Sequence, residues 1–127
     1  MTAQASIDVA AVALDAMLES GSPDEVLGLL APDAVLWHND DKTAVPAAAG
    51  VRGVAGLHAL LADVRVEVVQ HEQLSNGFLH RFAIHGVVRA SGAPLLAHNC
   101  VVVSKEDLSI VRIDEYVDPT FRMQLGV

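Results

Sequence analysis

The hydrophobic pattern changes character partway along the chain. Helical spacing in the first half gives way to runs rich in valine, isoleucine and phenylalanine from Val64 onward. Ile7, Ala10, Ala11, Leu14, Met17 and Leu18 recur every three or four residues and predict a first helix that Gly21 ends. Ser22-Pro23-Asp24-Glu25 carries a capping serine, a proline at the first helical position and a glutamate three residues after the cap, so a second helix is expected to about Ala31, before Pro32. Residues 34–38 read as a short strand. Asp40 to Gly53, with Pro46 and three alanines, reads as a loop, and a third helix covers roughly 54–62. Turn residues at Ser75-Asn76-Gly77, Ser91-Gly92-Ala93-Pro94 and Lys105-Glu106-Asp107 divide the rest into four strands, about 64–74, 78–90, 95–104 and 109–117. Long strands with short connections predict an antiparallel meander. The order of elements gives an α+β class, in which a strongly curved sheet is closed on its concave side by three helices around a cone-shaped apolar cavity.

Composition narrows the function classes. A chain of 127 residues fits one domain over 1–127, large enough to bury roughly two-thirds of its unfolded surface. At 52% hydrophobic it is not a disordered chain, yet no apolar run approaches the ~20 residues a membrane helix needs. Residues 1–20 lack a basic start and carry Asp8, Asp15 and Glu19, against a secretory signal; a cytoplasmic location is expected. Net charge is −8 with eight Lys and Arg scattered along the chain, which argues against nucleic acid as a partner. Cys100 is the sole cysteine, so no internal disulfide forms.

Candidate chemistry gathers at "VLWHND", residues 35–40, where Trp37, His38, Asn39 and Asp40 end the first strand. Strand alternation sorts the later candidates into faces without saying which face is inward. His80, Phe82 and Ile84 share one face of their strand; His98, Cys100 and Val102 share one face of theirs; Ile113, Glu115 and Val117 share one face of the last. His98 and Cys100 supply two metal ligands with no third, so no metal and no cofactor is expected. Cys100 as a nucleophile lacks an identified base. Glu115 stands out because a glutamate is almost never buried without a partner.

The chain resembles the SnoaL-like branch of the nuclear transport factor 2 (NTF2) superfamily, which includes ketosteroid isomerases and limonene-epoxide hydrolases. The resemblance lies in "LLAPDAVLWHND", "GVRGVAGLHALL", "RFAIHG" and "SIVRIDEYVDP" and covers nearly the whole chain. It implies a cystatin-like α+β cone, dimerised through the outer sheet face. It also implies that Glu115 occupies the hydrolases' general-base position and that Cys100 stands where isomerases carry a hydrogen-bonding acid. His80, Phe82, Ile84, His98, Cys100 and Glu115 then point inward. An ungapped match puts His38 where isomerases keep their proton-shuttling aspartate, with Trp37 or Asn39 selected by a one-residue slip. The hydrolases' Arg and Asp positions read Phe82 and Ile84, and the isomerases' oxyanion donors correspond to Leu14 and Cys100, so neither residue set is present.

Two functions follow from this pattern. One is a cofactor-free isomerase, cyclase or hydratase with Glu115, His38 and His98 as catalytic groups, in which Glu115 or His38 takes a proton alpha to a carbonyl and His98 or His80 holds the oxyanion. The other is a non-catalytic binding protein for a small hydrophobic molecule. In both, Trp37, Asn39, His80, Phe82, Ile84, Cys100 and Val117 contact the ligand. A homodimer is expected because Val101 and Val103 alternate against the proposed inner set and Val87 and Val88 occupy both faces of their strand, which would make the outer face apolar too.

Overall fold

Asp8 starts the first helix, α1 (Val9–Ser20), by accepting a hydrogen bond on its side chain from Ala10 N–H at 2.8 Å. Gly21 ends it in the left-handed conformation, with φ 79° and its N–H on the Met17 carbonyl. The computed structural model describes residues 7–126; the one-domain reading over 1–127 includes residues 1–6 and 127, which lie outside the described residues.

The chain continues as α2 (Asp24–Leu27), β1 (Leu30–His38), β2 (Thr43–Pro46), α3 (Ala47–Arg52) and α4 (Val54–Leu60). Then come β3 (Leu61–Leu74), β4 (Gly77–Val88), β5 (Pro94–Glu106), β6 (Ser109–Tyr116) and α5 (Phe121–Leu125). The strands form one open sheet in the order β2-β1-β6-β5-β4-β3. From β3 to β6 it is the antiparallel meander, whereas β1 pairs with β6 in parallel. Register shifts in β3 between Ala62 and Arg65 and between Val68 and Gln70 mark bulges, which bend a strand and increase its twist. Gly77 is required where β4 leaves its turn, because a Cβ there would overlap the Val103 carbonyl. Among the described residues no helix is long and apolar enough to cross a membrane.

Several elements differ from the sequence expectation. The second helix stops at Leu27, because Gly28 is a poor helix former and the Leu29 carbonyl is taken by Ile110 N–H, which draws the chain into β1. No capping box forms: Pro23 occupies the cap without a side-chain hydrogen bond, and Ser22 N–H turns back to Ser20 Oγ. The segment expected as a loop over 40–53 contains β2 and α3. The alanine run after Pro46, a strong helix signal, forms the first turn of α3. Helix α5 was not anticipated.

The core lies between the helices and the inner sheet face. Leu61, Phe78, Val103, Ile110 and Ile113 are fully buried in it. Val101 and Val103 point into this core, so the two valines that were expected to make an apolar dimer face do not lie on the outer surface. That face carries Trp37 edge-on to Tyr116 at 5.5 Å, with Leu79, Cys100 and Val102 among Arg81, His85 and Asp114.

A polar chain fastens α1 to the sheet. Asp8 N–H donates to His71 Nε2 at 3.2 Å, His71 and His80 meet through their Nδ1 atoms at 2.9 Å, and His80 Nε2 lies 3.0 Å from the Asp15 carboxylate. Because His71 Nε2 accepts, its proton sits on Nδ1 and points at His80 Nδ1; His80 therefore carries its proton on Nε2 and donates it to Asp15. Both rings are neutral in this arrangement. Proton uptake by His71 would place its Nε2–H against Asp8 N–H. Lys105 Nζ pairs with the Asp8 carboxylate at 3.2 Å from the β5 side.

Two outcomes are expected. Burial, followed by the neighbouring His80, holds His71 below its ordinary 6.5 against the pull of Asp8, Asp15 and Glu72. A histidine with a lowered folded-state pKa contributes stability above 6.5 that is lost as pH falls below it, so unfolding free energy should decline there. His71→Gln should remove that component of the slope, read by urea titration across pH. Phe78→Ala, which empties a fully buried site, should cost about 3–5 kcal/mol in the same assay.

Candidate functional site

The parallel pairing of β1 with β6 places the chemistry. Its register sets Leu36 opposite Ile113 and His38 opposite Glu115, all on the inner face. His38 Nε2 lies 3.1 Å from Glu115 Oε1, and both side chains are less than a third exposed. The carboxylate is the main reason His38 is held above its ordinary 6.5; burial opposes the shift, and Asp40 and Asp41 add to it. No described residue hydrogen-bonds His38 Nδ1, and that atom is not sealed from solvent.

The pair lies on the wall of a cavity of about 310 Å³, at the small end of ligand-sized pockets. Helix α1 contributes Leu14, Met17 and Leu18 to its wall, and the α3–α4 segment contributes Gly50, Val51, Gly53, Val54 and Leu57. The sheet adds Leu36, Phe82, Val101 and Ile113. His38 and Glu115 are the ionisable lining groups, so the wall is apolar except at one end. A shallower hollow at the sheet edge, between β1 and β2, holds Asp33 among apolar residues and no histidine. Among the described residues no three His, Cys, Asp or Glu side chains group as metal ligands.

No family model and no curated protein matches the sequence. Solved structures do match in architecture. A protein of ketosteroid isomerase-like fold from Catenulispora acidiphila, in complex with trimethylamine, superposes with TM-score 0.80 at 14% identity, covering 96% of this chain and 95% of that one. IdmH, a candidate polyketide cyclase from Streptomyces antibioticus, gives 0.78 at 21% identity over 93% and 96%. An NTF2-like protein from Burkholderia thailandensis gives 0.74 at 12% over 93% and 96%. The chain has the ketosteroid isomerase-like, NTF2-like fold.

Within this NTF2-like cone, the residues proposed from sequence separate. His38, Glu115 and Phe82 line the cavity together. His98 and Cys100 do not: the register pairs Val101 with Glu115 and Cys100 with Tyr116, so once Glu115 faces inward Val101 does too, and the alternate residues face out. His98 is exposed, and its backbone N–H donates to Asp118, which with Thr120 holds the Asp118 carboxyl below the usual range. Burial pushes the Cys100 thiol up, against a nucleophilic role. Trp37 lies outward against Tyr116. His80 and Ile84 point inward, but His80 is consumed by Asp15 and His71 away from the cavity and Ile84 packs in the core. Val117 follows the end of β6, where its N–H donates to the Asn39 side chain; neither residue lines the cavity.

Sequence reasoning missed the contribution of residues 50–53, for which the alanine run at 47–49 was the available signal. It also missed the partner of His80, which no sequence spacing reveals because Asp15 lies 65 residues away.

The pair makes a direct prediction. The His38 titration midpoint, followed by its ring proton resonances, should lie above 6.5, and Glu115→Gln should bring it down toward that value. Because the folded-state pKa is raised, the contribution of His38 to stability is complete below 6.5 and lost as pH rises through the raised value, opposite in sign to that of His71.

Proposed function

We propose that the protein is a cofactor-free proton-transfer enzyme acting on a small hydrophobic carbonyl compound, of the isomerase or cyclase kind. The carrying observation is the His38–Glu115 pair, 3.1 Å apart at the one polar end of an otherwise apolar cavity. The carboxylate favours the imidazolium form of His38, whose Nδ1–H is free to donate to a ligand oxygen. A carbonyl oxygen held there sets its alpha C–H beside Glu115, whose second oxygen has no protein partner among the described residues.

The step is then conventional general acid–base chemistry. Glu115 takes the alpha proton as the C–H pair forms the enolate double bond, and the charge arriving on oxygen is held by the imidazolium. Return of the proton to another carbon isomerises the substrate; attack of the enolate carbon on a second carbonyl in the same molecule cyclises it, the alkoxide so formed taking the proton back from Glu115. The apolar wall supplies binding and keeps competing water away. His98 and His80, expected as oxyanion holders, do not reach the cavity, so His38 takes that role. The likeness to IdmH, a candidate polyketide cyclase, supports the carbonyl class at the level of fold.

The reading is tested by incubating the protein in deuterium oxide with a panel of small cyclic enones and following alpha-deuterium incorporation by mass spectrometry. Exchange above background is expected, with a loss of about 10²–10⁴-fold in Glu115→Gln and in His38→Ala. His38→Ala should shift unfolding by no more than about 0.5 kcal/mol near neutral pH, as expected for a part-exposed strand end. Ligands that raise the melting temperature without any exchange would replace the enzyme by a binding protein.

A further inference from the structure

Residue Asn39 follows His38 where β1 leaves the sheet. In a parallel ladder one residue bonds to two on the neighbouring strand, through its N–H to one and through its carbonyl to the other. The N–H of Asn39 keeps that pattern, donating to the Glu115 carbonyl at 3.1 Å. Its main-chain carbonyl does not, because the chain turns away into residues 40–42, with Lys42 at φ 54°. The side-chain carbonyl replaces it: Asn39 Oδ1 accepts from Val117 N–H at 2.9 Å. One residue therefore holds the backbone on both sides of Tyr116, immediately past the facing pair His38 and Glu115.

We propose that Asn39 is a positioning residue, whose side-chain carbonyl continues the β1–β6 ladder by one step and so fixes Glu115 against His38. The role rests on that pair as the working part of the cavity and not on any particular substrate. Asparagine suits it on two counts. Its amide oxygen reaches a backbone N–H from the first residue of a turn. It is also uncharged, where an aspartate would add a fourth carboxylate beside His38 to those of Glu115, Asp40 and Asp41. On the other flank, Asn99 Oδ1 accepts from Asp118 N–H at 2.9 Å, so residues 117–118 are held from β1 by one asparagine and from β5 by another.

The experiment uses the His38 titration midpoint, which requires no substrate and which a merely structural staple would not move. In the native protein it lies above 6.5; Asn39→Ala, which changes no charge, should lower it toward 6.5 while far-UV circular dichroism stays native. Asn39→Asp retains an acceptor at the same reach. Measured at about 1 M salt, where the Debye length is near 3 Å, it should hold the midpoint at or above the native value. Asn39→Gln keeps the amide but sets it one methylene away, and it carries the alanine expectation should Asn39→Ala not fold. A folded alanine or glutamine variant with an unchanged midpoint overturns the positioning role and leaves the pair standing. A native midpoint at 6.5 overturns both.

Discussion

The parallel pairing of β1 with β6 is the constraint on which the other features of this molecule depend. The two strands are separated by the whole meander in sequence, and their ladder must be closed by loops of high entropic cost before either can be buried. A parallel partner also cannot be reached by a tight turn, so the chain between them must cross from one side of the sheet to the other. Helices α3 and α4 occupy that crossing. They pack above the inner face at a distance set by Val51, Val54 and Leu57, and the cavity is the space between them and the sheet. The same pairing that requires the crossing places His38 and Glu115 side by side beneath it.

The electrostatics of the cavity follow from this packing. A histidine and a carboxylate at a water-exposed surface would interact weakly and be screened by salt. Here the surrounding wall is apolar, and each side chain keeps only partial access to solvent, so their attraction shifts the histidine despite the opposing effect of burial. The turn after β1 adds Asp40 and Asp41 to the same field. A strand end that leaves the sheet thus serves as a source of charge, and the asparagine between strand and turn keeps that departure from loosening the last rung of the ladder.

The sequence was most legible where its signals are local. The apolar stripe of α1, its stop at Gly21 and the turns that divide the meander are encoded within a few residues, and the α+β class follows from their order. Local signals failed where tertiary contacts decided the outcome: α2 ends early because the Leu29 carbonyl is captured by a residue 81 positions on, Ile110. In the candidate site, His38, Glu115 and Phe82 were legible, whereas the inward face of β5 was inverted. A resemblance fixed that face by position, and the strand's own alternation could not correct it, since Leu96, Cys100 and Val102 lie with His98 and Ser104 on one side and Asn99 lies with Leu95, Ala97, Val101 and Val103 on the other. The pairing of Val101 with Glu115 decides the face, and that register is a tertiary fact which no single strand's pattern reveals. The roles of Asn39 and Asp15 were not legible, because a hydrogen bond across 65 or 78 residues leaves no trace in local spacing.

Among the described residues two pairs of histidine and carboxylate face inward, and comparing them separates structure from candidate chemistry. In His80 and Asp15 the histidine is wholly buried and both ring nitrogens are committed, one to the carboxylate and one to His71, whose own second nitrogen is fixed by the cap of α1. No position is left for a ligand atom. That pair can stabilise but cannot turn over. In His38 and Glu115 the distance is nearly the same, yet one ring nitrogen and one carboxylate oxygen have no protein partner among the described residues, and the two side chains line an apolar space of ligand size. Reactivity in such a pair is decided less by the groups than by what is left unsatisfied around them, since a buried donor or acceptor without a partner is tolerated only where solvent or a ligand supplies one. The free valences of His38 and Glu115, on the wall of an apolar cavity, are therefore the feature that distinguishes this pair from His80 and Asp15.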